Sequence, residues 1–284
     1  MSTVIRQREF GFTDADFDSL RGLARQLAGI SLNESKRELV YGRVSRRLRE
    51  LGMSAFADYR ALLAGPDGGE EIGEFINAVT TNLTAYFREK HHFDYFRDHF
   101  LLPRAAEATG NRRIRIWCAA ASTGEEPYSI AITVAEAIPD WRRWDVRILA
   151  TDLDTNVLRH AGAGLYHEDR VRDLPKGLLA KYFTRVADDK AVRYQVKPEL
   201  QQMIAFRQLN LVKPLPMGGP LDAIFCRNVI IYFDKDTQRD LFSRMAPLQR
   251  PNDLLFLGHS ETLFKVSDDW KLVGKTVYRR DGAA

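Results

Sequence analysis

From residue 112 onward five short apolar runs recur, most of them followed by a helical or polar stretch: RIRIWC, DVRILAT, IAFRQLN, DAIFC and DLLFLG. This alternation constrains the fold more than any other feature of the chain. Short continuous apolar runs are how strands covered on both faces present themselves, and a parallel sheet flanked by helices provides that cover. An α/β doubly wound sheet is therefore expected. One connection departs from the pattern, since about fifty residues separate ILATD from IAFRQLN. LRHAGAGLY reads as the crossover helix and its end. KYFTRVADDKAVRYQVKPEL then carries two strand-like runs around the turn ADDK, which predicts an inserted antiparallel hairpin or small sheet at about 166–202.

Upstream, the first eighty residues read as helices. FTDADFDSLRGLARQLAGI places Phe17, Leu20, Leu23, Leu27 and Ile30 at three- and four-residue steps behind Thr13 or Asp14 as caps. SLNESKRELVYGRVSRRLRELG repeats the pattern, with Val40, Tyr41, Val44, Leu48 and Leu51 on one face and Gly52 as its stop. Lys36, Arg43, Arg46, Arg47 and Arg49 fall on the other side of this helix, 34–51, against Glu34, Glu38 and Glu50 as the only acids from 34 to 50. A basic ridge is expected. AGPDGGE reads as a loop, and EIGEFINAVT returns to helix. The chain thus divides into a helical N-terminal domain, 1–80, and a sheet domain, 81–284.

The composition suits such a fold: 284 residues, 45% hydrophobic and 28% charged, make room for one large domain or two unequal ones. No run of about 18 apolar residues is present to span a bilayer, and MSTVIRQREFGF lacks the apolar stretch of a secretory signal. A soluble cytoplasmic protein is expected. Cys118 and Cys226 lie in no C-x-x-C or Cys/His spacing, which predicts buried free thiols. A net charge of +4 favours an acidic partner.

IRIWCAAASTGEEPYSIA, 114–131, passes from strand to helix through one tight turn, and ligands of open α/β sheets bind beyond the carboxyl ends of the strands. A dinucleotide loop there would read G-x-G-x-x-G. This one has small residues Ala119 to Ala121, then Gly124, then Glu125 and Glu126. Small side chains permit close approach, but the acids would repel a phosphate within ~4 Å by on the order of 1 kcal/mol in water. A cationic or ammonium-bearing ligand is expected. Pro127 suits the first helical position, and the two carboxylates also suit the helix dipole without any ligand. ILATDLD ends in Asp152, at the strand tip where nucleoside-binding sheets hold ribose hydroxyls, while Asp154 is better placed to cap the helix TNVLRH. An adenosine-like group with a positive tail and no phosphates describes S-adenosylmethionine.

These residues resemble the chemotaxis receptor methyltransferases, the CheR family, over nearly the whole chain, from RELVYGRVSRRL to GKTVYRR. TTNLTAYFREKHHF, WCAAASTGEEPYSIA, ATDLD, FCRNVIIYFDKDTQ and LLFLGHSE look like that family's signature segments, in its order. The resemblance implies a small all-α N-terminal domain, an S-adenosylmethionine-dependent (Rossmann-like) methyltransferase sheet with a reversed last strand, and a small inserted antiparallel β-subdomain. It also implies methyl transfer from S-adenosylmethionine to glutamates of chemoreceptors, giving γ-methyl (5-O) esters and S-adenosylhomocysteine. By the same resemblance Asn82, Thr84 and Arg88 match the cofactor-contacting and active-site segment, and Glu126 the acid facing the methionine ammonium. Asp152 matches the ribose-binding acid, Asn210 and Leu211 the adenine neighbourhood, and Asn228 with Val229 the loop beyond the fourth strand. Tyr232 lines the site in the family picture and joins Arg88 as a candidate catalytic residue. Asn82 or Thr84 alternatively caps a helix running through His99, and Tyr232 alternatively belongs to the core.

Esterifying a carboxylate needs little acid or base catalysis, because a glutamate with a reference pKa of about 4.3 is already an anion at neutral pH. Placement is what remains, and the Arg88 guanidinium can grip a carboxylate, of substrate or of cofactor, through two parallel hydrogen bonds. GHSET lacks the closing glycine of G-x-S-x-G, which argues against Ser260 as a nucleophile. C-R-N-V-I carries no Pro-Pro-aromatic motif, which argues against N-methylation of nucleic-acid bases. His91, His92 and His99 have no partner ligands at metal spacing and read as a partly exposed helix face, so no metal is expected. Lys36, Arg43, Arg46, Arg47 and Arg49 would steer and dock the glutamate-bearing helical bundle of a receptor. A methyltransferase of RNA or of another protein, using that ridge on an acidic substrate, and a cofactor-sensing adaptor are the other readings; intact Glu126 and Asp152 speak against the adaptor. The family's insert tethers some members to a short peptide at the receptor C-terminus, whereas VADDKAV lacks the glycines of those members. A monomer, recruited from the cytoplasm to receptor arrays without membrane insertion, is expected.

Overall fold

The computed structural model describes residues 8–107, 112–187 and 191–282. Its contacts divide the chain into two units, Met1–Thr81 with Tyr232–Asp234, and Asn82–Ile231 with Lys235–Ala284. In the first, Thr13 opens α1 (Asp14–Ala28) with a capping box: the Asp16 amide donates to the Thr13 hydroxyl at 3.2 Å and the Thr13 amide to the Asp16 carboxylate at 2.9 Å. A 3-10 turn, Glu34–Lys36, leads into α2 (Arg37–Leu51), which Gly52 ends in the left-handed conformation. α3 (Phe56–Ala64), which the sequence reading does not single out, and α4 (Gly69–Val79) complete the unit. Phe17, Val44, Phe56, Tyr59 and Phe75 are fully buried within it.

A buried polar knot decides what α2 can offer a partner. Arg47 donates to Glu71 through Nε (3.0 Å) and Nη2 (2.6 Å), and the Tyr59 hydroxyl donates to the same carboxylate at 2.7 Å. Arg43 also turns inward, donating to the carbonyls of Ala78 (3.1 Å) and Thr80. The expected ridge of five charges is corrected accordingly. Arg43 and Arg47 fasten α2 to α4 and its end, while Lys36, Arg46 and Arg49 stay exposed, the last two paired with Glu50 and Glu9. A helical wheel sorts residues by direction only, and the long arginine stem lets a flank residue curl onto a neighbouring element.

In the second unit α5 (His91–Phe96) runs through a π-turn at Arg97–Leu101 into α6 (Leu102–Ala106). The sheet region follows as β1 (Arg113–Ala119), α7 (Glu125–Ala137), β2 (Asp145–Asp152) and α8 (Thr155–Ala163). Next come β3 (Leu165–His167), α9 (Glu168–Val171), α10 (Lys176–Tyr182), β4 (Phe183–Ala187), β5 (Val192–Val196) and α11 (Pro198–Gln201). The chain closes with β6 (Ile204–Gln208), β7 (Ala223–Cys226), α12 (Lys235–Met245), β8 (Leu254–Leu257), β9 (Trp270–Gly274) and β10 (Val277–Arg280).

Seven strands form one sheet in the order β6-β2-β1-β7-β8-β10-β9. The five apolar runs of the sequence are its parallel strands, and β10 is antiparallel to both neighbours, the reversed last strand. β3, β5 and β4 make a separate antiparallel sheet, so the long connection holds three strands where the sequence showed two. The tip of VADDKAV, Asp188 to Lys190, lies outside the described residues. Phe225 and Phe256 stack across β7 and β8 with ring centroids 4.2 Å apart, and Phe96 meets both edge-on. Burying each ring contributes roughly 1.5–3 kcal/mol, which anchors α5 and fixes the segment 82–90 leading into it. Among the described residues no helix is long and apolar enough to cross a membrane.

Candidate active site

The chain winds outward from β1 through β2 to β6, then returns to lay β7 and β8 on the other side of β1. That reversal opens a crevice at the carboxyl ends of β1 and β7, where an open α/β sheet binds its ligand. The turn beyond β1 is strained: Ala120 (φ 64°), Ser122 (φ 50°) and Gly124 (φ 98°) are all left-handed. For the two non-glycine residues this costs on the order of 1 kcal/mol each and persists only where the surroundings enforce it. The Ala121 amide donates to the Thr151 carbonyl and the Ser122 amide to Asp152 Oδ2, both at 2.8 Å, and the Ser122 hydroxyl donates to the Asn82 carbonyl at 3.0 Å. At Gly124 an added Cβ would lie 2.6 Å from the Tyr166 hydroxyl and 2.8 Å from Ala161 Cβ, so glycine is required there by space as well as by φ. Gly124 occupies the helix cap, which puts Pro127 at the third helical position and not the first, as expected from sequence.

Asp152 is buried and fixed from both sides, since its Oδ1 also accepts the Asp154 amide at 3.0 Å. Burial pushes its carboxyl above the usual range against the pull of those amides. Asp154 caps α8 through the amides of Asn156 (2.8 Å) and Val157 (3.2 Å), as expected, and accepts from Asn82 Nδ2 at 2.8 Å. The helix-cap alternative for Asn82 and Thr84 does not hold, because both lie in an irregular segment and α5 begins at His91. Leu209, at the end of β6, donates its amide to the Asp152 carbonyl at 2.9 Å, which brings Asn210 and buried Leu211 beside this group. The Asn210 side chain accepts the Val212 amide at 3.1 Å and so shapes its own turn.

The two adjacent acids are not the uncompensated negative pair that the sequence suggests. Glu125 is fully buried and paired with Arg170, and Glu126 Oε2 accepts from Arg227 Nη1 at 2.5 Å. Each arginine lies far along the chain, out of reach of local pattern reading. Arg227 is a site residue the sequence reading missed. Its side chain is wholly buried over the Phe93 ring, and its Nη2 donates to the Arg88 carbonyl at 2.6 Å and lies 3.2 Å from Glu89 Oε2. An arginine directly following the apolar run DAIFC was the available signal, since a charge at a buried strand end requires partners. Cys118 and Cys226 are buried free thiols, and the Cys118 thiol donates to Glu126 Oε1 at 3.3 Å.

Burial pushes Glu89 up, but the His259 hydrogen bond (2.9 Å) and the Arg227 charge outweigh it and bring the carboxyl down to about 2. Glu89 also accepts from Asn228 Nδ2 at 3.3 Å. Glu261, of the GHSE segment, accepts the amides of Gly258 (2.6 Å), Asn228 (2.8 Å) and Ile230 (3.0 Å). The motif therefore builds the turn that carries Asn228 and half-buried Val229, while Ser260 is exposed. Arg88 donates from Nη1 to the Leu83 carbonyl at 2.9 Å, and Thr84 lends its carbonyl to Arg170 at 3.2 Å. Tyr232 is grouped with the helical unit, where its carbonyl accepts the Ser31 amide at 2.8 Å. The structure thus joins Asn82, Asp152 and the Asn210 turn as one group, and Arg88, Glu126 and Asn228 around Arg227 as a second.

His92 corrects the expectation of a partly exposed histidine face: it is fully buried, while His91 and His99 are exposed. Donor atoms of Glu89, His91 and His92 lie within 4.8 Å of one another, but the Arg227 guanidinium already balances Glu89. His92 Nε2 donates to the Lys275 carbonyl at 2.9 Å, and burial, with the Arg227 charge, lowers its pKa from 6.5 to about 3. Between those values the unfolded chain binds a proton that the folded one refuses, so this contribution is intact above pH 6.5 and is lost on acidification at about 1.4 kcal/mol per pH unit. His92→Gln keeps an N–H for Lys275. Its melting temperature should fall less steeply than the parent's from pH 6.5 to pH 5, and parallel curves would assign the acid lability elsewhere.

The chemistry of these residues fits S-adenosylmethionine: a buried carboxyl group held by two amides stands at the tip of β2, small residues line the strained turn, and the second acid of that turn, Glu126, lies beside it. The "CheR methyltransferase, SAM binding domain" family matches residues 82–279, and "CheR methyltransferase, all-alpha domain" matches residues 15–80. The chain is 47% identical to chemotaxis protein methyltransferase 2 of Pseudomonas aeruginosa over 98% of its own length and 97% of that protein's. It is 46% identical to the chemotaxis protein methyltransferase of Klebsiella aerogenes (94% and 89% covered) and 44% identical to that of Escherichia coli (94% and 91%).

Proposed function

The chain belongs to the CheR methyltransferase family, an S-adenosylmethionine-dependent methyltransferase of chemotaxis, and on that premise we propose that it esterifies glutamate side chains of chemoreceptors to 5-O-methyl esters. The observation that carries the glutamate reading is the Arg88 guanidinium: among the described residues it meets the Leu83 carbonyl and no carboxylate. Its neighbour Glu89 and its own carbonyl are locked to Arg227, so the backbone that presents it is rigid. Bound S-adenosylmethionine would supply an electrophilic methyl on a sulfonium. Asp152 would hold the ribose hydroxyls, Glu126 the ammonium, and Asn210, Leu211, Asn228 and Val229 the base and its surroundings, with Asn82 and Thr84 closing the near wall. Arg88 then orients a carboxylate, and because a glutamate is already ionised, no side chain has to take its proton.

Docking falls to Lys36, Arg46 and Arg49, the three exposed basic residues of the α2 segment, in a cytoplasmic protein brought to membrane receptors. An RNA substrate would need the same ridge, and the inward turn of Arg43 and Arg47 removes two of its five phosphate contacts. Incubation with methyl-labelled cofactor, receptor-rich membranes and total RNA is the test. Label should enter receptor protein and leave as methanol in mild base. Arg88→Ala should lower that incorporation at least a hundredfold with a melting temperature close to the parent's, by loss of about 3 kcal/mol of charge-assisted bonding. Base-stable label, label in RNA, or undiminished turnover of the variant would each defeat the reading.

A further inference from the structure

The strained turn between β1 and α7 is held from two sides, and one of them is the inserted subdomain. On the sheet side stand Thr151 and Asp152. On the other, the Tyr166 hydroxyl, on β3, donates to the Thr123 carbonyl at 2.7 Å. Arg170, on α9, reaches three more groups. Its Nε donates to Glu125 Oε1 at 3.0 Å, and its Nη2 donates to the same oxygen, to the Thr84 carbonyl at 3.2 Å and to the Thr123 hydroxyl at 3.4 Å. That hydroxyl in turn donates to Glu125 Oε2 at 2.6 Å. Glu125 has no exposure to water, so Arg170 is its counter-charge, and both walls of the crevice, the 120–125 turn and the 82–88 segment, meet at one guanidinium.

We propose that Arg170 is a positioning residue for methyl transfer: it clamps the strained turn to the segment carrying Thr84 and Arg88, and so makes the inserted subdomain part of the cofactor affinity. The inference rests on the cofactor lying against Asp152 and residues 120–126. Ala120 and Ser122 relax to commoner backbone conformations when untethered, and a site competent for only a fraction of the time binds more weakly by that fraction. Lysine retains a cation beside Glu125 but cannot serve Thr84 and Thr123 in the same fork.

The test compares full-length parent, Arg170→Lys, and the double variant Arg170→Met with Glu125→Gln, which leaves no lone buried charge. Calorimetric titration with S-adenosylmethionine, melting temperatures and the KM for each substrate are measured. Both variants should melt within a few degrees of the parent, bind cofactor about tenfold more weakly and raise its KM in proportion. A parent-like cofactor Kd in the lysine variant overturns the proposal, and that variant decides if the double one does not fold. A rise of both KM values in step with a fallen melting temperature also overturns it, being the mark of general loosening. A parent that binds no S-adenosylmethionine instead sinks the cofactor placement on which the clamp is built.

Discussion

Arg227→Ala is expected to abolish cofactor binding and to remove about 3–5 kcal/mol of stability, the cost of taking one partner from a buried ion pair. The residue is wholly enclosed and neutralises Glu126 while flanking Glu89, so the alanine variant leaves two neighbouring carboxylates without the cation between them. A domain of this size has only about 5–15 kcal/mol in hand, and the variant should unfold at visibly lower urea. Arg227→Lys offers a single ammonium in place of the fork that serves Glu126 and the Arg88 carbonyl together, so it should fall between parent and alanine. Removing acid and base together, as Arg227→Met with Glu126→Gln, should restore much of the stability but not the binding, because the ammonium partner is then gone too. Urea unfolding with calorimetry reads both quantities. An alanine variant within about 1 kcal/mol of the parent would show that Arg227 does not bridge these acids.

How much of this was legible in the sequence follows the reach of the interactions. The five parallel strands were legible because burial on both faces writes itself into consecutive residues, and Thr13, Gly52 and Asp154 because caps act within four residues of their helix. β3 and α9 were not, since three or four residues are too short to establish a period. The site divides in the same way. Asp152 at a strand tip, and Glu125 and Glu126 just after the strand turn, stand where the sequence put them. The meaning of the two adjacent acids changed because Arg227 reaches Glu126 from 101 residues away and Arg170 reaches Glu125 from 45. The basic ridge failed for a related reason: the wheel put Arg47 outside, and the Glu71 that draws it inward lies 24 residues on. The left-handed residues Ala120, Ser122 and Glu89 carried no warning, since neither alanine, serine nor glutamate signals positive φ.

Asp152→Ala should weaken S-adenosylmethionine binding by two to three orders of magnitude while costing the fold far less. Two charge-assisted hydrogen bonds to ribose hydroxyls, at about 1.5–3 kcal/mol each, set the scale of the binding loss. The same carboxylate has a second task, because it accepts the amides of Ser122 and Asp154 and thereby holds the strained turn. Asparagine separates the two. Its carbonyl can still accept one amide, but its NH2 group would face the other donor, so Asp152→Asn should disturb the turn as well as the ribose contact and do no better than alanine. The ligand can be varied in place of the protein. A cofactor analogue lacking one ribose hydroxyl should bind the parent roughly ten- to a hundredfold more weakly, yet bind Asp152→Ala about as well as the complete cofactor does. That collapse of the difference is the signature of a direct contact. If the analogue lost the same factor against both proteins, Asp152 would act only through the turn it holds, and the ribose would have to be gripped by some other group at the mouth of the sheet.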